Sequence, residues 1–172
     1  MFEGARSENS ELGSVGGVRE RLRLIQDRKM DAARSRLVRT GEYYPPSVFS
    51  VFDDGRVERF ECLATDADER SVIGVACSSA RERGARGMVL VFEGWTGRNR
   101  SVRPTDDPER GEAIVSIAVA GDGWCRTSRL IFGRGEDGTP VPGAVDVSER
   151  EQSSPDDVRL LAAFWDDRPA PH

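Results

Sequence analysis

Twice in this chain an Asp-Gly step stands between two runs of alternating apolar residues, and no other pattern restricts the fold as much. Asp53-Asp54-Gly55 separates residues 48–52 from 57–63, and Gly121-Asp122-Gly123 separates 112–120 from 124–132. Asp and Gly both accept the positive φ that tight hairpin turns require, so each unit reads as two antiparallel strands. Between the hairpins, Met88-Val89-Leu90-Val91-Phe92 is almost wholly apolar. It is too short for an ordinary helix and suits a strand buried on both faces. For the second hairpin, a two-residue Asp122-Gly123 turn predicts Val119 opposite Arg126, Ile117 opposite Ser128, Val115 opposite Leu130 and Ala113 opposite Phe132 on one face of the sheet.

Helical periodicity frames these strands. Residues 18–38 hold neither Gly nor Pro, and Val18, Leu22, Ile25, Ala33 and Leu37 recur at helical spacing until Gly41 ends the run. Asp66 with Glu69, then Val72, Ile73, Val75, Ala76 and Ala80, predict a second helix over 67–83 closed by Gly84. Ser154 and Pro155 introduce a short C-terminal helix with Val158, Leu160, Leu161, Phe164 and Trp165 on its apolar side. Near Val141 to Val147 a weak edge strand is expected, its pairing limited by Pro140 and Pro142.

The organisation expected is a flexible lead-in over 1–17, a basic amphipathic helix over 18–40, a single domain over 41–166 and a disordered tail over 167–172. That domain is expected to be α+β: an antiparallel or mixed sheet of about five strands, built from two hairpins and a central strand. One helix covers one face, and the N-terminal basic helix stands separate. No internal repeat is evident.

Charge and composition narrow the functions. The net charge of −5 conceals an uneven distribution, because residues 1–40 carry nine basic and six acidic groups of the 25 and 30 in the whole chain. The first 40 residues are therefore at +3 and the remainder at −8. The one histidine is His172, the last residue, which disfavours Ser-His-Asp and Cys-His relays and zinc sites with His ligands. Cys62, Cys77 and Cys125 have no C-x-x-C spacing, so buried reduced thiols are expected and neither a disulfide framework nor a structural metal. No apolar run approaches a membrane span, and no apolar stretch follows Met1-Phe2-Glu3-Gly4 as a secretory signal would require. A cytoplasmic protein without cofactor or metal is the expectation.

With histidine excluded, carboxylates are the main acid–base candidates. Glu93 ends the central strand and Glu112 begins the next, so the two could converge at a sheet edge and bind a divalent cation, with Asp106 or Asp107 and the loop cations Arg98, Arg100 and Arg103 nearby. The competing reading is a pair of solvated strand-end charges facing arginines. Gly121-Asp-Gly123 and Gly133-Arg-Gly135 lack the strand–G-x-G-x-x-G–helix setting of a dinucleotide site and read as turns. Cys77 lies near a helix's apolar stripe with no base to activate it. Trp95 and Trp124 either anchor the core or rim a pocket.

The basic helix is the most informative constellation, with eight cations and three acids over 19–39. It can fold back on the acidic domain, contact a partner or its own copy, or lie along a polyanion. The acidic body disfavours nucleic acid. The contact residues expected are Arg21, Leu22, Ile25, Arg28 and Lys29.

Glu93-Gly94-Trp95, then Asp107-Pro108-Glu109-Arg110 and Glu112, follow a hairpin, a helix and a short apolar strand. Over residues 49 to about 132 this pattern resembles uncharacterised small α+β proteins of bacteria and their phages. The resemblance implies the fold sketched above and brings no activity, ligand or catalytic residue. The sequence thus points to a non-enzymatic interaction or regulatory module, bacterial or phage, that meets a protein partner or its own copy through the N-terminal helix. The alternative is a small metal-dependent hydrolase or phosphodiester enzyme using Glu93 and Glu112.

Overall fold

The computed structural model describes residues 6–7, 16–41, 46–61, 69–96, 108 and 111–153. The elements are β1 (Arg6–Ser7), α1 (Val18–Thr40), β2 (Ser47–Phe52), β3 (Val57–Glu61), α2 (Glu69–Glu82), β4 (Ala85–Thr96), β5 (Gly111–Ala120), β6 (Cys125–Arg134) and β7 (Pro140–Arg150). All strands join one sheet in the order β1-β3-β2-β4-β5-β6-β7, antiparallel at every pairing. The class is α+β. Where about five strands were expected, the described residues form six of five residues or more, with the two-residue β1 added at one edge. That small strand falls inside the expected lead-in and pairs Arg6 with Arg59 and Ser7 with Glu58. Residues 1–5 and 8–15 of the lead-in, the residues expected to form a C-terminal helix and tail, and most of the loop between β4 and β5 lie outside the described residues.

Helices cover both faces of the sheet. Leu22, Ile25, Met30, Ala33 and Leu37 of α1 pack on Phe49, Val51, Val89, Val91, Ile114, Ala118, Trp124, Leu130 and Phe132. Ile73, Cys77 and Ala80 of α2 pack on the opposite face, against Val48, Phe52, Met88, Leu90, Val119 and Cys125. The expectation of a helix on one face and a separate basic helix is therefore corrected. The central strands show why: all of β2 is buried, as is β4 from Gly87 to Val91, so each strand needs cover on both sides. Full burial of a large apolar side chain contributes roughly 1.5–3 kcal/mol, so Leu22, Ile25, Met30 and Leu37 together rival the whole stability of an ordinary domain. At those magnitudes α1 is part of the core, not a detachable arm.

Three hairpins are closed by one device. In 53–55, 121–123 and 136–138, the last residue is a glycine at φ 84, 96 and 80, the left-handed conformation that glycine adopts without strain. Cross-turn main-chain bonds run from Phe52 N–H to Arg56 O, from Ala120 N–H to Trp124 O and from Gly135 N–H to Thr139 O. Each turn's aspartate then accepts the main-chain N–H two residues on: Asp54 from Arg56 at 3.0 Å, Asp122 from Trp124 at 3.1 Å, Asp137 from Thr139 at 2.9 Å.

This turn corrects the register of the β5–β6 hairpin. The loop is three residues long, so Val119 pairs with Cys125, Ala118 with Arg126, Ser116 with Ser128, Ile114 with Leu130 and Glu112 with Phe132. The one-residue change reverses which side of β6 faces which side of β5. It places Trp124, Leu130 and Phe132 under α1, where Trp124 and Leu130 are fully buried.

The helix ends follow local chemistry. Gly41 terminates α1 at φ 64 with its N–H bonded to Leu37 O, and Gly84 follows α2 at φ 89. The capping pair expected at Asp66 and Glu69 lies outside the described side chains. The edge strand β7 is longer than expected, running eleven residues, and its pairing with β6 shifts between Leu130 and Phe132. There Gly143 is required, because a Cβ would stand 2.9 Å from Ile131 O. No described helix is long and apolar enough to cross a membrane.

Candidate functional site

The basic helix spends its N-terminal cations on the sheet. Arg19 bridges Asp122 and Glu151, each at 2.7 Å, and Arg23 grips Glu149 near the end of β7. Trp124 Nε1 donates to the same Glu149 at 2.9 Å, and the Arg23 guanidinium lies 5.1 Å above the Trp124 ring. The Arg23 hydrogen bond, opposed by partial burial and aided by Trp124, holds the Glu149 carboxyl at about 2. Partial burial pushes Asp122 up, yet the Trp124 main-chain N–H and Arg19 hold it below the usual carboxylate range.

Gln26 is the residue that periodicity missed. It is fully buried in α1, donates its amide to the main-chain oxygens of Ser116 and Arg126 at 3.0 Å each, and accepts from the Arg126 guanidinium at 2.9 Å. Arg126 also reaches Asp27 at 2.7 Å. A buried polar side chain satisfied on both ends fixes the helix in register over β5 and β6. Its signal in sequence was a lone polar residue beside Ile25 on the apolar stripe.

The residues expected to meet a partner are thus distributed otherwise. Leu22 and Ile25 are 0% and 3% exposed and belong to the core, which corrects their assignment as contact residues. Arg21 is half-buried with its guanidinium over the Gly55 turn, and the Lys29 ammonium sits 4.7 Å above the Phe49 ring. Of the five, Arg28 alone is exposed.

Glu93 and Glu112 come close to the arrangement expected, on one face of adjacent strands. Glu93 stands opposite Ile114 and Glu112 opposite Trp95, so the carboxylates are diagonal neighbours. Glu112, however, is held at both oxygens by Arg134, at 2.7 and 3.2 Å. That bidentate pair raises the Arg134 pKa, through the hydrogen bond first and with the charge of Glu93 adding to it. A carboxylate neutralised in this way is a poor ligand for a divalent cation. Among the described residues no group of three or more His, Cys, Asp or Glu could hold a metal ion. Asp106 and Asp107 lie outside the described residues.

Nucleophiles and clefts add little chemistry. Burial pushes the Cys77 thiol up to about 12, which removes the thiolate at neutral pH, and Cys125 is buried as well. An open cleft of about 740 Å³ at the start of α1 is lined by Arg19, Arg23, Asp53, Arg86 and Asp122. These five charges pair within the fold itself, Arg19 with Asp122 and Arg86 with Asp53, each at 2.7 Å, and Arg23 with Glu149. A smaller groove of about 250 Å³ separates α2 from β2 and β3, with the Arg83–Glu58 ion pair at its rim.

The β7 edge is different in kind. From Gly143 to Arg150 all eight residues are exposed, and Val141, Val145 and Val147 stand at 57%, 40% and 46%. Val145 pairs with Leu130 and Val147 with Ser128, on the face that carries α1. A long outer strand with exposed β-branched residues is the sheet's natural template for another chain. Comparison with protein-family models, with curated proteins and with solved structures returns no match.

Proposed function

We propose that this chain is a non-enzymatic protein–protein interaction module whose contact element is the edge strand β7. The N-terminal helix, from which the contact was expected, serves as internal support. The observation that carries this reading is the run of eight exposed residues over Gly143–Arg150 at the edge of a sheet whose central strands are covered by helices on both faces. Strand addition at such an edge gains affinity from main-chain hydrogen bonds and specificity from alternate side chains. Burial of Leu22 and Ile25 supports the shift of contact away from α1, and the Arg134 pairing of Glu112 tells against a metal-dependent hydrolase.

A photoreactive side chain in place of Val147 tests it. In the cells the protein comes from, it should crosslink to a polypeptide, whereas the same group at the exposed Asp31 of α1 should not. Adducts at position 31 alone, or at neither position, contradict the proposal.

A further inference from the structure

The direction of the β7 main chain follows from its pairings. The Ala120–Trp124 bond makes that pair a hydrogen-bonded one, and bonded and non-bonded pairs alternate along an antiparallel ladder. Even-numbered residues of β6 therefore bond to β5 and odd-numbered ones to β7. Across from the odd ones stand Asp146, Ser148 and Arg150, opposite Arg129, Thr127 and Cys125. Val145, Val147 and Glu149 consequently direct their N–H and C=O groups away from the sheet. On the far side of the bulge, Gly135 bonds to Thr139, so Pro140 and Pro142 point outward, where a missing N–H leaves the β6 ladder whole.

The outward strand is self-complementary. When two copies run antiparallel with Ser148 on the two-fold axis, the Val147 and Glu149 main chains exchange hydrogen bonds, and Asp146 of each copy lies directly opposite Arg150 of the other. Two such cross-strand ion pairs form symmetrically, as an isologous contact requires. Asp146 is accessible for this, since its side chain stays 60% exposed while bonded to Arg129 at 2.8 Å. Slipping the axis to Asp146 would set two carboxylates face to face, which selects against that register.

Resting on the interaction reading above, we infer that the partner of β7 is a second copy of this chain, paired edge to edge about Ser148 into one continuous sheet.

Sedimentation of the full chain at about 0.1 mM, a concentration that populates micromolar complexes, should give twice the 18.9 kDa of one copy. Val147→Pro removes an outward N–H only, so the fold should survive and the dimer should be lost. Should that variant fail to fold, Asp146→Arg should weaken dimerisation about tenfold, and Asp146→Arg with Arg150→Asp should restore it. Ser148→Cys should give a covalent dimer under mild oxidation, because residues on the axis of a non-bonded pair sit about 4.5 Å apart, within disulfide reach. Wild type, with its own cysteines, should not. A monomer at every concentration, or a dimer indifferent to these substitutions, overturns the inference. If the chain stays monomeric while position 147 crosslinks to another polypeptide, self-pairing falls and the interaction reading stands. If position 147 crosslinks to nothing, both fall.

Discussion

Leu22 of α1 occupies the space where Gly87 of β4 has no side chain. A Cβ at position 87 would lie 2.6 Å from Leu22 Cδ1 and 3.0 Å from Val119 O, so the helix rests on the sheet at this point without room for a methyl group. Gly87→Ala should therefore destabilise the fold by about 1–3 kcal/mol, the usual cost of overpacking. Urea unfolding measures it; a variant as stable as wild type would show that α1 is not seated as described. For the same reason, removing residues 1–41 should yield an aggregating chain, because it bares the sheet face formed by Phe49, Val91, Ile114 and Trp124.

The second prediction concerns Gln26. Gln26→Ala deletes two donated bonds and strips the Arg126 guanidinium of a buried acceptor. The expected loss is about 1–3 kcal/mol. Arg126→Ala should cost much less in the Gln26→Ala background than alone, since the two share one network. Strict additivity of the pair in a double-mutant cycle would deny the network.

Acid should act through Glu149. Its carboxyl is depressed from the ordinary 4.5 to about 2, first by the Arg23 hydrogen bond, so its stabilising contribution is complete above the unfolded value. That contribution is lost as pH falls from about 4.5 through about 2. Glu149→Gln or Arg23→Ala should flatten the dependence of melting temperature on pH within that window. An acid limb identical to wild type in both variants would mean the pair contributes nothing.

The turn glycines give a fourth prediction. Gly123 sits at φ 96, where any Cβ is strained, and the added group would also meet Gln152 Oε1 at 3.2 Å. Gly123→Ala should cost about 1 kcal/mol or more, whereas alanine at Gly133, which has open space around it, should cost less. Equal effects at the two positions would argue against the left-handed turn.

How much of this could be read from the sequence varies with the physics involved. Helices α1 and α2, the two Asp-Gly hairpins and the doubly buried central strand were legible, because their signals are local: spacing of Leu22, Ile25 and Leu37, Asp-Gly steps, a glycine-free run. The β5–β6 register was not, since Gly121-Asp122-Gly123 permits a two- or a three-residue loop, and the three-residue form that Gly123 closes at φ 96 is the one that places Trp124 beneath α1. The site was less legible still. An amphipathic helix looks the same whether its stripe meets a partner or its own sheet, so Leu22 and Ile25 carried no label of destination. Glu93 and Glu112 do share a face, as their strand-end positions implied, but the Arg134 that claims Glu112 lies 22 residues on and came into reach only through pairing. The edge at β7 was expected to be weak because of its prolines; those prolines prove to sit where no N–H is needed.

Hydrogen exchange along the whole chain tests the account most directly. In concentrated protein, the amides of Val147 and Glu149 should be protected and lose that protection on dilution, while the interior amides of α1 exchange only through global unfolding at every concentration. The opposite pattern, with α1 opening early and the β7 edge unaffected by concentration, would restore the helix as the contact element and contradict the account.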